Sequence, residues 1–347
     1  MRRWLLLSAL VLAASVALDR LGLPTPWLFG GLAGALAYAL SRPSEPLQLP
    51  SFAFRIGQAT VGVVVGSSIA WGSLADLGPR WAIVAAVSTF SLVVSLTVGR
   101  LLIRRGASPV TAAFSSIAGG AAGLTAMADD LHADARTVAV LQYLRLLVVL
   151  VSMPIVVGVV FSADVAPAAV GAGDSTLGID LLYVAIAGGI GLVLGERLKM
   201  PSPAILGPML VGALVGIQAP FDDATVPEVI EAIGYLAIGV QVGLRFTVAS
   251  LRSIWSMVPT ALFTITVVLL ACAGLGWVLV VTTGAAPLDA YLATTPGGIY
   301  AVMGTSQATG GDVTFVAATQ VLRLVIILAS APFLSAYLRR TEQVPMS

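Results

Sequence analysis

The chain has 347 residues, 58% of them hydrophobic and 10% charged, with a mean hydropathy of +0.99. Soluble domains carry about 25% charged residues, so this composition cannot clothe a water-facing surface, and lipid is the solvent it fits. Lys and Arg number 18 against 17 Asp and Glu, which leaves no basic face for nucleic acid, and the lone Cys272 and lone His132 exclude a disulfide framework and a multi-His or thiol metal site.

In chain order, Met1-Arg2-Arg3 and the apolar run 4–18 have the shape of a signal peptide. Apolar runs then follow at about 26–41, 51–71, 81–103, 109–128 and 137–161. A second series follows at about 181–195, 203–218, 229–248, 255–282, 290–308 and 314–338. The two series are copies. At an offset of 177, Arg20 falls on Arg197, Pro24 on Pro201, Pro26 on Pro203 and Gly30 on Gly207, while Gly57, Gly62 and Gly66 fall on Gly234, Gly239 and Gly243. At 178, Gly119-Gly120 falls on Gly297-Gly298, Asp134 on Asp312, Gln142 on Gln320 and Leu144-Arg145-Leu146 on Leu322-Arg323-Leu324. The first run belongs to this pattern, so it is expected to be a retained helix.

Residues 109–128 and 290–308 differ from their neighbours. They are rich in Gly, Ser and Thr and break at a central Gly-Gly, and glycine weakens helix interiors. Each crosses as a broken helix or dips in and returns as a hairpin. Cytoplasmic loops hold an excess of Lys and Arg. With both segments re-entrant, 14 basic residues fall inside and only Arg20 and Arg80 outside; with both spanning, the division is 9 against 7. The expected fold is therefore an all-α integral membrane protein of two inverted repeats, each with five transmembrane helices and one re-entrant Gly-Gly hairpin. The first repeat covers 1–161 with its hairpin at 109–130, a periplasmic linker covers 162–180, and the second repeat covers 181–340 with its hairpin at 290–310. Both termini are expected in the cytoplasm, with the chain multi-pass in the inner membrane.

Such repeats are the build of many secondary transporters, with the solute near the midplane. Irregular backbone at membrane depth survives where it is buried or lines a wet cavity. The tips Gly119, Gly120, Gly297 and Gly298 are thus site candidates, among the hydroxyls of Ser115, Ser116, Thr294 and Thr295; their other reading is close helix packing. Arg145 and Arg323 lie inside apolar helices, with Gln142 and Gln320 three residues earlier on the same face. Buried arginines face a cavity or a partner. They either bind a carboxylate or phosphate as planar forks, or tie down a hairpin carbonyl as a post. Asp134 and Asp312 stand just before helices and read first as N-caps; with Asp129 and Asp130 they are also the candidates for coupling to H+ or Na+. Gln58 and Gln241 line a pathway or bond across helices.

The duplicated Gly-Gly segment, the Ala133-Asp134 and Gly311-Asp312 pairs and the helices carrying Gln142 with Leu144 to Leu147, and Leu322 to Leu324, resemble the AbrB family of membrane proteins. The resemblance covers nearly the whole chain. It implies a fold grouped with cation/proton antiporters and anion transporters. The hairpins are also similar to those of the citrate carriers, dimeric elevator transporters that bind carboxylates at such tips and at an arginine. Where the family pattern has a Glu after the Gly-Gly, this sequence has Ala122 and Gly123, and Tyr300 and Ala301, a departure that argues against acid-dependent coupling.

The expected function is secondary transport of a small anionic solute by an elevator or rocking motion, in a homodimer, with no catalytic residue, no metal and no cofactor beyond a coupling ion. The alternatives are a membrane protein with an indirect role in gene regulation and a membrane subunit of a monooxygenase.

Overall fold

A computed structural model describes residues 2–43, 46–69, 78–118, 128, 133–163, 175–200, 202–246, 248, 252 and 255–342. All regular structure among them is helical. The helices are α1 (Arg2–Arg20), α2 (Pro26–Ser41), α3 (Ser51–Ser67), α4 (Trp81–Gly99, continued by a 3₁₀ turn Arg100–Arg105), α5 (Pro109–Ser116) and α6 (Ala135–Val159). The second series is α7 (Leu177–Arg197), α8 (Pro203–Val215), α9 (Glu228–Leu244), α10 (Val258–Thr283), α11 (Pro287–Thr294), α12 (Ile299–Ala308) and α13 (Val313–Glu342). Prolines open α2, α5, α8, α10 and α11, the position where a missing N–H costs no hydrogen bond. Thr25 before α2 and Ser202 before α8 both take left-handed backbone, φ 48° and 52°, so the copies agree in this uncommon detail.

Among the described residues, five stretches are long and apolar enough to cross a membrane: Trp81–Arg105, Ala135–Val159, Leu177–Arg197, Val258–Thr283 and Val313–Ser330. The helices α2 and α8 are apolar but shorter. Ten spans were expected. The 13 residues of α8 rise only about 20 Å against a hydrocarbon core of about 30 Å. The expected 162–180 linker lies largely outside the described residues, and α7 already begins at Leu177.

The chain forms two compact units, and each draws on both halves of the sequence. One comprises Met1–Leu74, Leu150–Val248 and Ile299–Ala317; the other comprises Ala75–Val149, Ala249–Gly298 and Ala318–Ser347. In the first, α1 packs on α2 and α7 on α8, and α2 and α3 meet α9 and α8 of the other half. Its cores are equivalent clusters. Leu7, Val11, Ala35, Tyr38, Val240 and Leu244 form one, and Val63, Val64, Tyr183, Ala187 and Val211 belong to the other.

The contacts between halves are reciprocal. A Cβ on Gly239 would lie 2.2 Å from the Leu28 carbonyl oxygen, and one on the equivalent Gly62 would lie 2.5 Å from that of Ile205, which is Leu28's own equivalent. One turn on, Gly243 meets the Leu32 carbonyl at 2.6 Å and Gly66 meets that of Met209 at 2.5 Å. Contacts advance together along both members of each pair, so α2 runs parallel to α9 and α3 parallel to α8. Such mutual contact of equivalent surfaces is the mark of a two-fold relation.

In the second unit, α5 lies on α4 and α11 on α10. The small residues Gly99 and Gly276 make the room: a Cβ on Gly99 would strike Ser116 Oγ at 2.3 Å, and one on Gly276 would meet Thr294 Oγ1 at 3.0 Å. Leu92, Val110, Phe114, Ile117, Ala128, Val138 and Ile327 form one core here, and Leu102, Ala112, Leu141, Leu144, Ala261 and Ile265 belong to another.

Candidate functional site

Helices α5 and α11 each hold eight residues, about 12 Å of rise. Both stop the same way. Ile117 and Thr295, equivalent at the offset of 178, turn to extended backbone at φ −65°, ψ 130° and φ −55°, ψ 126°. A helix end leaves carbonyls without partners and carries partial negative charge. Buried in an apolar unit, those carbonyls need donors.

Arginine and glutamine supply the donors. Arg145 Nη1 donates to the carbonyls of Ser116 at 3.3 Å and Ile117 at 2.6 Å. Gln142 Nε2 donates to those of Phe114 and, at 2.9 Å, Ile117. Arg145 Nη2 donates to Gln142 Oε1, locking the pair. In the second half Arg323 Nη1 donates to the Thr294 and Thr295 carbonyls at 3.1 and 2.8 Å. Gln320 Nε2 donates to those of Leu292 and Thr295 at 2.8 and 3.2 Å, and Arg323 Nη2 to Gln320 Oε1 at 2.5 Å. Each bond in one half has its counterpart 178 residues on. Both arginines are 6% exposed, Gln142 1% and Gln320 2%.

Of the two readings open for the arginines, this geometry favours the post. Both Nη atoms of each already donate to the protein, so the end-on pair of each guanidinium is not free for a bidentate grip on a solute. Three of the five N–H groups of Arg145 are used in these bonds, and its Nε is buried with no hydrogen-bond partner among the described residues.

The hydroxyls divide in a related way. Ser116 Oγ donates to the Ala113 carbonyl at 2.9 Å, Thr294 Oγ1 to that of Ala290 at 2.9 Å and Thr295 Oγ1 to that of Tyr291 at 2.7 Å. Ser115 Oγ has no partner among the described residues. Gly297 and Gly298 take φ +144° and +67°, conformations that glycine alone adopts without strain. A Cβ on Gly297 would lie 4.0 Å from Arg145 Nε, so the second tip comes up against the arginine that clamps the first helix. Gly119, Gly120, Asp129 and Asp130 lie outside the described residues.

Asp134 and Asp312 are N-caps. Thr137 donates its N–H to Asp134 Oδ1 at 2.9 Å and its hydroxyl to Oδ2 at 2.5 Å; the Phe315 N–H donates to Asp312 Oδ1 at 2.9 Å. The Thr137 hydroxyl and N–H hold the Asp134 carboxyl below the usual carboxylate range, so at neutral pH it is charged and carries no proton. Gln58 Nε2 donates to Tyr300 Oη.

Sequence reasoning passed over Gly99 and Gly276, which seat the short helices. They obey the offset of 177, so the repeat register itself held the signal. It also passed over Thr264, which with Ser115, Ser116, Arg145 and apolar neighbours lines a small cavity beside the first break.

Long apolar helices around two clamped helix breaks define a membrane-type helical protein. Residues 27–339 match the family described as "Transition state regulatory protein AbrB", and the chain belongs to that family. It is similar to an Escherichia coli (strain K12) protein provisionally named as the regulator AbrB, with 31% identity covering 97% of this chain and 96% of the relative. It is also similar to the protein YhjN of Bacillus subtilis (strain 168), with 25% identity covering 93% and 90%.

Proposed function

We propose that this chain is a secondary transporter of a small anionic solute, built as two inverted repeats of five spans and one re-entrant hairpin each. The duplicated clamp carries the reading: two eight-residue helices end inside an apolar unit, each held by a buried Arg and Gln at the same offset. Stopping a helix there, and burying a cation to hold it, is costly. A fold tolerates that cost where the break forms a site. The parallel course of α2 with α9 and of α3 with α8 supports the inversion. If consecutive spans alternate in direction, those two parallel pairs require the halves to face opposite ways. Residues 115–116 and 294–298, with Arg145, Gln142, Arg323 and Gln320 behind them, form the solute site in this reading. A coupling ion, H+ or Na+, completes the mechanism, which is an elevator or rocking motion of the hairpin-bearing helices in an inner-membrane homodimer.

The regulator name of the Escherichia coli relative supports a second reading, an effect on gene expression. Transport of a signalling metabolite would produce it without contact with nucleic acid. A third reading, a membrane subunit of a monooxygenase, would need a metal site that one His and one Cys do not supply.

A thermal-shift screen of small anions and neutral metabolites on the purified protein, followed by uptake into proteoliposomes, tests the proposal. Stabilisation by an anion together with its saturable uptake is the expected result. Binding and uptake confined to neutral or cationic solutes would overturn it.

A further inference from the structure

Arg145 and Arg323 are both buried, and among the described residues neither is in an ion pair with a carboxylate. Their partners are helix-end carbonyls, and a helix C-terminus carries only about half a negative charge. Two guanidinium charges exceed what two such ends offset by roughly one positive charge. The two arginines also converge. Gly297, 4.0 Å from Arg145 Nε at its Cβ position, donates its N–H at 3.1 Å to the Thr295 carbonyl that Arg323 clamps.

Beside the first break lies a cavity walled by Ser115, Ser116, Arg145 and Thr264 among aliphatic side chains. It leaves about 20 Å³ for the centre of a water-sized guest, room for one small occupant. Two polar atoms of its lining residues have no partner among the described residues, Ser115 Oγ and Arg145 Nε. Both can donate. Ser115 is 5% exposed and Arg145 6%, so bulk water does not satisfy them. The feature is specific to the first half, since Ala293 stands at the position equivalent to Ser115.

We infer that this cavity binds a small monoanion, a halide or the single anionic oxygen of a carboxylate, held by the Nε–H of Arg145 and the hydroxyl of Ser115. A neutral water could accept the same hydrogen bonds but would leave the net charge standing. A dianion held end-on by both Nη atoms does not fit, because each of them already donates to the protein. This rests on the anion site of the transport proposal and sharpens it to a monoanion at the first break.

The test is thermal unfolding of the purified full chain at constant ionic strength in sodium gluconate, chloride, bromide and formate. Three proteins are compared: wild type, Ser115→Ala and Ala261→Val. Ser115→Ala removes one donor and leaves the clamp whole. Ala261→Val places two methyl groups on the cavity wall. Chloride, bromide or formate should raise the wild-type midpoint in a saturable way over gluconate, and both variants should lose most of that rise. Stabilisation by formate without the halides would identify a carboxylate oxygen as the occupant. Equal rises in all three proteins would mark a general salt effect and overturn the inference, as would a wild-type midpoint that ignores the anion. Proteoliposome flux separates the two claims: binding without transport would leave the monoanion site standing and remove the transporter reading.

Discussion

A guanidinium that donates to two carbonyls and a glutamine oxygen cannot be replaced by an ammonium without losing geometry. Hydrogen bonds to charged groups contribute about 1.5–3 kcal/mol each, so Arg323→Ala should destabilise the purified protein by at least that much in denaturant or thermal unfolding, through the bared Thr294 and Thr295 carbonyls. Arg323→Lys should fall between Ala and wild type. Gln320→Leu combined with Arg323→Leu should cost less than the sum of the single changes, because the two side chains hold the same Thr295 carbonyl and each other. Strict additivity would mean that they act separately. Both readings of the arginines, solute fork and carbonyl post, were legible in the sequence as two Arg-Gln pairs on one helical face. Which carbonyls they hold was not, because a backbone carbonyl 28 residues away leaves no trace in residue type.

Asp134 has a pH signature of its own. Its carboxyl is held below the ordinary value by Thr137, so it adds stability above the unfolded value of about 3.9, and that stability is lost as pH falls through the lower folded value. Wild type should therefore weaken on acidification below about pH 4 by more than Asp134→Asn does. The gap should be small at this exposed site. Transport should keep its pH dependence in Asp134→Asn; a shift in the profile would return this residue to the coupling candidates.

At the scale of elements, close approach of helices replaces hydrophobic contrast, since lipid is as apolar as the helices' own side chains. Gly239→Val would drive a Cβ to 2.2 Å from the Leu28 carbonyl oxygen and 2.8 Å from Leu32 N. Those are backbone atoms, so α2 and α9 must part, and a loss of roughly 1–3 kcal/mol or more is expected. Gly189→Ala is the control, as nothing lies within 4 Å of its Cβ position, and its melting midpoint should match wild type. Helix breaks were readable in advance, since Gly297-Gly298 and the Ser/Thr-rich run before them punctuate an apolar series. Which helix each glycine meets was not, because α2 pairs with α9 more than 200 residues away, and only the reciprocity of Gly62 and Gly239 in the folded chain identifies the partner.

For the whole molecule the decisive quantity is orientation. The inverted arrangement places Arg136 on the cytoplasmic side with Arg105 and Arg252; the parallel arrangement places Arg136 outside. The position is also structurally suitable, since it follows the N-cap Asp134 at the start of α6 and is not buried. In a Cys272→Ser background, which removes the one native thiol, single cysteines at Asp174, Asp222 and Ala286 should react with an impermeant maleimide in intact cells. Cysteines at Arg105, Arg136 and Arg252 should react only after permeabilisation. The Gln142–Arg145 clamp makes the outcome bear on mechanism as well as topology. It ties the end of α5 to α6 a few residues beyond position 136, so a re-entrant α5 returns the chain to the side it left. Labelling at positions 136 and 252 in intact cells, with position 105 still protected, would mean that the first Gly-Gly segment crosses. The halves would then be parallel, and the inverted-repeat transporter would be the wrong architecture for this chain.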